Sequence, residues 1–147
     1  MDNKGIAKVF EEIANILEIQ GVDFFRFNSY RKAALTINNL AVDLRQVVQR
    51  NPRDLEEIPG IGKALKEKII ELVKTGKCEE HERMKKGFPE GLLELLSLRS
   101  VGPKKIRLFN LQLGITDVNQ LKQACEKGLI RKLPKMGKKS EAEILKA

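Results

Sequence analysis

An all-α fold is predicted by three observations on this 147-residue sequence. Apolar residues recur at helical spacing along most of it, no stretch sustains period-two alternation, and a glycine turn between helical patterns returns three times. The first stripe is Ile6, Val9, Phe10, Ile13 and Leu17, the i, i+3, i+4, i+7 signature of one helix face. A longer stripe runs Tyr30, Ala33, Ala34, Ile37, Leu40, Leu44, Val47 and Val48, and predicts a second helix ended by "RNPRD". "GVDFFRFNS" separates the two, with Gly21 as the stop and Asn28 or Ser29 as the N-cap. The segment "GFPEG" at 87–91 is the expected joint between two packed subdomains, 1–87 and 88–147.

The repeat is the most informative feature. "LEEIPGIGKALKEKII" begins at Leu55, "LLSLRSVGPKKIRLFN" at Leu95 and "IRKLPKMGKKSEAEIL" at Ile130. Aligned on Gly62, Gly102 and Gly137, each has an apolar residue four positions earlier (Ile58, Leu98, Leu133). Each has another just before the glycine (Ile61, Val101, Met136) and a third seven after it (Ile69, Phe109, Ile144). The unit reads as short helix, glycine turn, second helix. Spacings of 40 and then 35 residues suggest stacked units rather than a regular solenoid.

Composition narrows the function. Residues 101–147 hold 11 Lys and Arg against 4 Asp and Glu, so most of the formal net charge of +8 sits there. A positive field concentrated in this way favours a polyanion such as nucleic acid or an acidic membrane surface. His81 is the only histidine, and Cys78 and Cys125 lack metal-ligand spacing, so a zinc site built on imidazole is not expected. No apolar run approaches membrane-spanning length, and a reducing, cytoplasmic setting is expected, with no membrane partner.

Glycine at the mouth of a helix lets a ligand approach the backbone, where first-turn N–H groups lack intrahelical partners and the dipole is positive. Lys63, Lys104, Lys105, Lys138 and Lys139 add charge directly after the key glycines. This device holds phosphate and reads no base edge. An ordinary αα turn that merely needs glycine is the bland alternative. Three copies in register, each followed by lysine, favour phosphate.

The pattern "IPGIGK" resembles the helix-hairpin-helix motif. The order of "FRFNSYRKAALTI" at 25–37, "IPGIGKALKEKIIELVKTGK" at 58–77 and "SVGPKKIRLFNLQLGI" at 100–115 is similar to the N-terminal region of family X DNA polymerases, the polymerase beta type. "LPKMGKKSEAEIL" at 133–145 resembles the bacterial and archaeal branch. The resemblance covers nearly the whole chain. It implies a gap-binding, lyase-like helical domain over 1–87 and a DNA-binding subdomain with two degenerate hairpins over 88–147. It implies a monomer that binds gapped, nicked or 5′-phosphate-bearing DNA without sequence preference during repair synthesis. Matching residues carry roles over: Arg26 and Tyr30 to the 5′-phosphate, Phe25 to stacking on a template base, and Gly60 and Gly62 to the first turn. A phosphate-binding lysine of the family falls on Ala64, beside Lys63. The resemblance also implies Na⁺ or K⁺ at the carbonyls of Glu56, Ile58 and Ile61 and of Leu96, Leu98 and Val101. No cofactor is required for binding, and Mg²⁺ enters only with a palm domain.

The copies depart from the motif. Its first glycine becomes Ser100 in the second turn and Lys135 in the third, and Pro59 becomes Arg99 in the second. Where that position needs positive φ, those turns are strained or reshaped, so the first is expected to be the best formed.

Nucleotidyl transfer needs clustered carboxylates to hold Mg²⁺. The five aspartates, at 2, 23, 43, 54 and 117, form no Asp-x-Asp pair, so this chain is not expected to polymerise DNA by itself. Its end inside a weakly capped helix, "EAEILKA", favours a longer natural protein over a free-standing module. A 5′-deoxyribose-phosphate lyase is the rival function. There the resemblance implies Lys68 as the Schiff-base nucleophile. Lys68 stands at the edge of the apolar stripe, three residues after Leu65 and four before Leu72. Partial desolvation, with Lys63, Arg26 and Arg31 if they converge, is expected to lower its pKa. The bland alternatives are a solvated lysine at 68 and a packing role for Tyr30. A third reading, a non-catalytic scaffold for branched DNA or another protein, needs only the hairpins.

Overall fold

In α1 (Asn3–Gln20), the first stripe is buried: Ile6, Phe10, Ile13 and Leu17 all face the core of the N-terminal unit. The helix stops at Gly21, whose φ of 75° is the left-handed conformation expected of a C-terminal glycine. This computed structural model describes residues 1–147 and contains nine α-helices, two 3-10 helices and no strand. The fold is all-α.

The second stripe corresponds to two helices, not one. α2 (Phe24–Asn38) ends at Asn39, and α3 (Leu44–Arg50) starts afresh under an Asp43 cap that accepts from Arg45 N at 2.9 Å. Leu40 and Leu44 keep helical spacing across the break, which is why periodicity bridges it. The bend is held from outside by Asn3, whose side chain donates to the Val42 carbonyl (2.7 Å) and accepts from Leu44 N (2.9 Å). The start of α2 is also earlier than its Asn28 and Ser29 suggested. Asp23 is the N-cap, accepting from Phe25 N at 2.9 Å, because a carboxylate there reaches the unpaired first-turn N–H groups.

Contacts divide the chain into two units, Met1–Leu17 with Val22–Lys86, and Glu18–Gly21 with Gly87–Ala147. In the first, a 3-10 helix (Pro52–Glu57) leads to α4 (Lys63–Thr75) and then α5 (Glu79–Lys86). Ile61, Leu65, Ile69 and Leu72 join the α1 and α2 stripes in one core, where Phe10 meets Tyr30 edge to face at 5.7 Å. On α5, buried His81 brings Nε2 to 3.2 Å from Glu12 Oε1, off hydrogen-bond alignment.

The second unit holds α6 (Glu90–Leu95), α7 (Pro103–Leu113), α8 (Val118–Glu126), a 3-10 helix (Ile130–Lys132) and α9 (Lys138–Lys146). α8 packs on α6 and α9. Gly91 is required by space, since a Cβ there would lie 2.2 Å from the Thr116 carbonyl oxygen. Glu141, almost wholly buried, accepts from Arg131 N (2.8 Å), Nε (3.1 Å) and Nη2 (2.8 Å), tying α9 to the 3-10 helix before it. In the first and third repeats, therefore, the expected short helix before the turn is a 3-10 helix.

Candidate nucleic-acid interface

Each repeat closes its turn with the same bond. Ile61 N donates to the Ile58 carbonyl (3.0 Å), Val101 N to Leu98 (3.3 Å) and Met136 N to Leu133 (3.1 Å). What fills the corner differs. Gly60 sits at φ 87° after Pro59, the arrangement of a type II turn. Lys135 holds the same corner at φ 61° after Pro134 and is the only non-glycine residue of the chain with positive φ. Ser100 is not among the positive-φ residues, so the second turn is reshaped where the third is strained.

Gly62, Gly102 and Gly137 are the N-caps of α4, α7 and α9. Each has extended backbone, with φ of −90°, −110° and −149°, which any residue adopts. A Cβ at any of the three would meet no protein atom within 4 Å. Neither the backbone nor packing asks for glycine here. None of the three helices has a side-chain cap, so first-turn N–H groups stay open to the outside. Three sites of this kind suit an anion that must touch the backbone itself.

The neighbouring lysines divide. Lys63, Lys104, Lys138 and Lys139 are exposed. Lys105 instead turns inward, and its Nζ donates to the Ser100 carbonyl at 3.0 Å. Its ammonium props the reshaped turn. Lys66 pairs with Glu56 at 3.3 Å and ties α4 to the preceding 3-10 helix.

Around Lys68 the geometry reverses an expectation. Its Nζ lies 3.1 Å from Glu80 Oε2, while Arg26 Nη2 lies 3.2 Å from Glu80 Oε1. One α5 carboxylate thus bridges a cation from α4 and a cation from α2. The Tyr30 hydroxyl interacts electrostatically with the same ammonium. Burial alone would lower the Lys68 pKa, but the Glu80 carboxylate and the Tyr30 hydroxyl outweigh it and hold it above the ordinary lysine value. Burial works against charge on Glu80 as well, and Lys68, Arg26 and Arg83 overcome it to hold that carboxyl below its usual range. Arg31 does not converge here; it bonds Glu11 and, at 3.0 Å, Asn15 Oδ1 on α1. Burial also raises the Tyr30 pKa.

Beside Glu80 opens a pocket of about 320 Å³, lined by Glu67, Lys68, Glu71, Cys78, Glu79, Glu80 and Arg83. Tyr30 belongs to the core: its ring is buried against Phe10, while its hydroxyl interacts with the Lys68 ammonium. Phe25 is 80% exposed and Phe24 58%, their rings edge to face at 5.9 Å. Glu80 escaped notice in the sequence because its partners lie 12 and 54 positions away, beyond any local pattern.

Residues 1–78 match the family described as helix-hairpin-helix domain, and residues 92–147 match the SAM-like helix-hairpin-helix tandem. Over all 147 residues the chain is 37% identical to the N-terminal part of a DNA polymerase/3′-5′ exonuclease PolX from Bacillus subtilis, of which it spans 25%. Over 80 residues it is 36% identical to DNA polymerase lambda from Arabidopsis thaliana, covering 54% of this chain and 14% of that protein. The chain therefore spans a quarter or less of the relatives it matches. These likenesses support DNA as the ligand. No helix is long and apolar enough to cross a membrane.

Proposed function

The chain belongs to the helix-hairpin-helix domain family, and on that premise we propose that it binds gapped or nicked DNA through backbone phosphates, as the front part of a family X polymerase in repair. The observation that carries this reading is the trio Gly62, Gly102 and Gly137, glycines that neither φ nor packing requires. A phosphate oxygen takes the open N–H groups of α4, α7 and α9, and the exposed lysines beside them neutralise its charge. Pro103 has no N–H, so α7 offers its Lys104 and Lys105 groups. Such contacts fix position on the duplex and carry no base code. Arg26 and Lys68 receive the 5′-phosphate side of a gap, and Phe25 stacks on an unpaired base. In the first turn the Ile58 carbonyl keeps a second lone pair after its bond to Ile61 N. With the carbonyls of Glu56 and Ile61 it forms an oxygen set that suits Na⁺ or K⁺, whose charge would add to that of the turn. In the second turn the carbonyls of Leu96, Leu98 and Val101 lie beside a turn that carries the Lys105 ammonium on Ser100.

Serine at position 62 separates ligand approach from folding. Its hydroxyl supplies the missing cap to α4 and its Cβ enters only the space a phosphate would use. Gly62→Ser is expected to keep or raise the melting temperature while weakening gapped-DNA binding roughly tenfold, the worth of one charge-assisted contact. Anisotropy titrations with a fluorescent gapped duplex read this. Unchanged affinity, or an affinity indifferent to salt concentration, rejects the reading.

A second reading is a lyase acting on 5′-deoxyribose phosphate, favoured by the partly buried position of Lys68 beside an open pocket. The lysine must first lose its proton. Its neutral Nζ then attacks the C1′ aldehyde, the imine forms with loss of water, and loss of the C2′ proton expels the 3′-phosphate. The pair with Glu80 opposes the first step. Borohydride trapping that Lys68→Ala abolishes supports this reading, and no adduct from the wild type rejects it.

A further inference from the structure

Both oxygens of the Glu80 carboxylate are spent on the cations proposed above for a 5′-phosphate, one on Arg26 at 3.2 Å and one on Lys68 at 3.1 Å. A carboxylate bridging two cations from separate helices offers them a negative charge on two oxygens, as a phosphate edge does. Arg83, on the wall of the adjoining pocket, adds positive charge, and the Tyr30 hydroxyl interacts with Lys68. The adjoining pocket gives Glu80 room to swing away, for its side chain lies on the pocket wall. We infer that Glu80 is the resident anion of the Arg26–Lys68 site, which a DNA terminal phosphate must displace, so that Glu80 sets the preference between phosphorylated and hydroxyl 5′ ends.

The inference rests on the DNA-binding reading and refines it. The duplex part of a gapped substrate is held at the glycine turns whatever the end group. The end group alone competes with Glu80. A hydroxyl end leaves the bridge intact. A phosphate end gains two cations but must break the bridge, which narrows the difference between the two. A purely architectural Glu80 would clamp α5 to α2 and α4, and its loss would lower stability without touching end preference.

The test compares two gapped duplexes, identical but for a 5′-phosphate or 5′-hydroxyl, on wild type and Glu80→Gln. The amide keeps the shape and loses the charge, and the ratio of phosphate to hydroxyl affinity is expected to rise about five- to tenfold. An unchanged ratio with intact gapped-DNA binding overturns the inference and leaves the parent reading standing. Loss of all DNA binding from the wild type overturns both. A second measurement needs no variant: the ¹³C resonance of the Glu80 carboxyl in the wild type. It is expected to move when the phosphorylated duplex is added and to stay when the hydroxyl duplex is added. A resonance indifferent to the end group overturns the inference, including where Glu80→Gln fails to fold.

Discussion

The first and third turns make the same closing hydrogen bond, 3.0 Å and 3.1 Å long, around corners of unlike chemistry. At Gly60 a φ of 87° is free of Cβ conflict; at Lys135 a φ of 61° places a Cβ-bearing residue in a region L-residues avoid. The flanks explain why the strained copy survives. Lys135 stands between a 3-10 helix and α9, and the buried Glu141 clamps these together through three bonds from Arg131. A corner can hold an unfavourable dihedral when its ends are tied. The second turn takes the other course: it gives up positive φ at Ser100 and fastens the altered corner with the Lys105 ammonium.

Corner substitutions break that comparison most directly. Gly60→Ala is expected to cost the largest amount, about 1–2 kcal/mol, because φ 87° punishes a Cβ although nothing crowds it. Chemical denaturation followed by helix circular dichroism measures it, and a neutral result would mean the turn relaxes to the Ser100 form. Lys135→Gly carries the opposite sign, a stabilisation of up to about 1 kcal/mol from released αL strain, set against the backbone entropy of glycine. Ser100→Gly is expected to destabilise by about 0.5 kcal/mol, since there is no positive φ to relieve and only entropy to lose. Loss, gain and slight loss in that order distinguish three corner conformations from one shared corner.

The pair beside the first turn adds a pH test with no counterpart at the other two. Glu80 is depressed, so its stabilisation is present above the ordinary glutamate pKa and fades as pH falls through the lower folded value. Lys68 is raised, so its share is present below the ordinary lysine pKa and fades as pH rises through the higher folded value. The melting-temperature difference between wild type and Glu80→Gln should therefore be flat from about pH 5 to 10 and shrink at both ends. A maximum near neutrality would point to a titrating group outside this pair.

The helical class and the three turns were legible because their signals are local. Ile61, Ile69, Val101, Phe109 and Ile144, chosen by spacing from the glycines, are all buried. Gly21 ended α1 where it was expected to. Element ends were less legible. Leu40 and Leu44 continue the apolar phase through a bend that Asn3, some forty residues earlier, holds in place. Among the candidate site residues, types were readable and directions were not. Lys104 and Lys105 are adjacent and alike in sequence, yet one is exposed and the other spends its ammonium on Ser100.

By itself the sequence determined the helical class, where the glycine turns fall and that the chain favours a polyanion. Those properties follow from short-range periodicity, turn chemistry and summed charge. Only the tertiary structure decided the electrostatic state of Lys68. Arg26, Tyr30, Lys68 and Glu80 come from three helices, and their meeting depends on how α2, α4 and α5 pack around one core. The cations gathered near Lys68 favoured a lowered pKa on paper. A carboxylate placed 3.1 Å away by that packing, with the Tyr30 hydroxyl, reverses the sign, because Coulomb energy depends on distance in space and not along the chain.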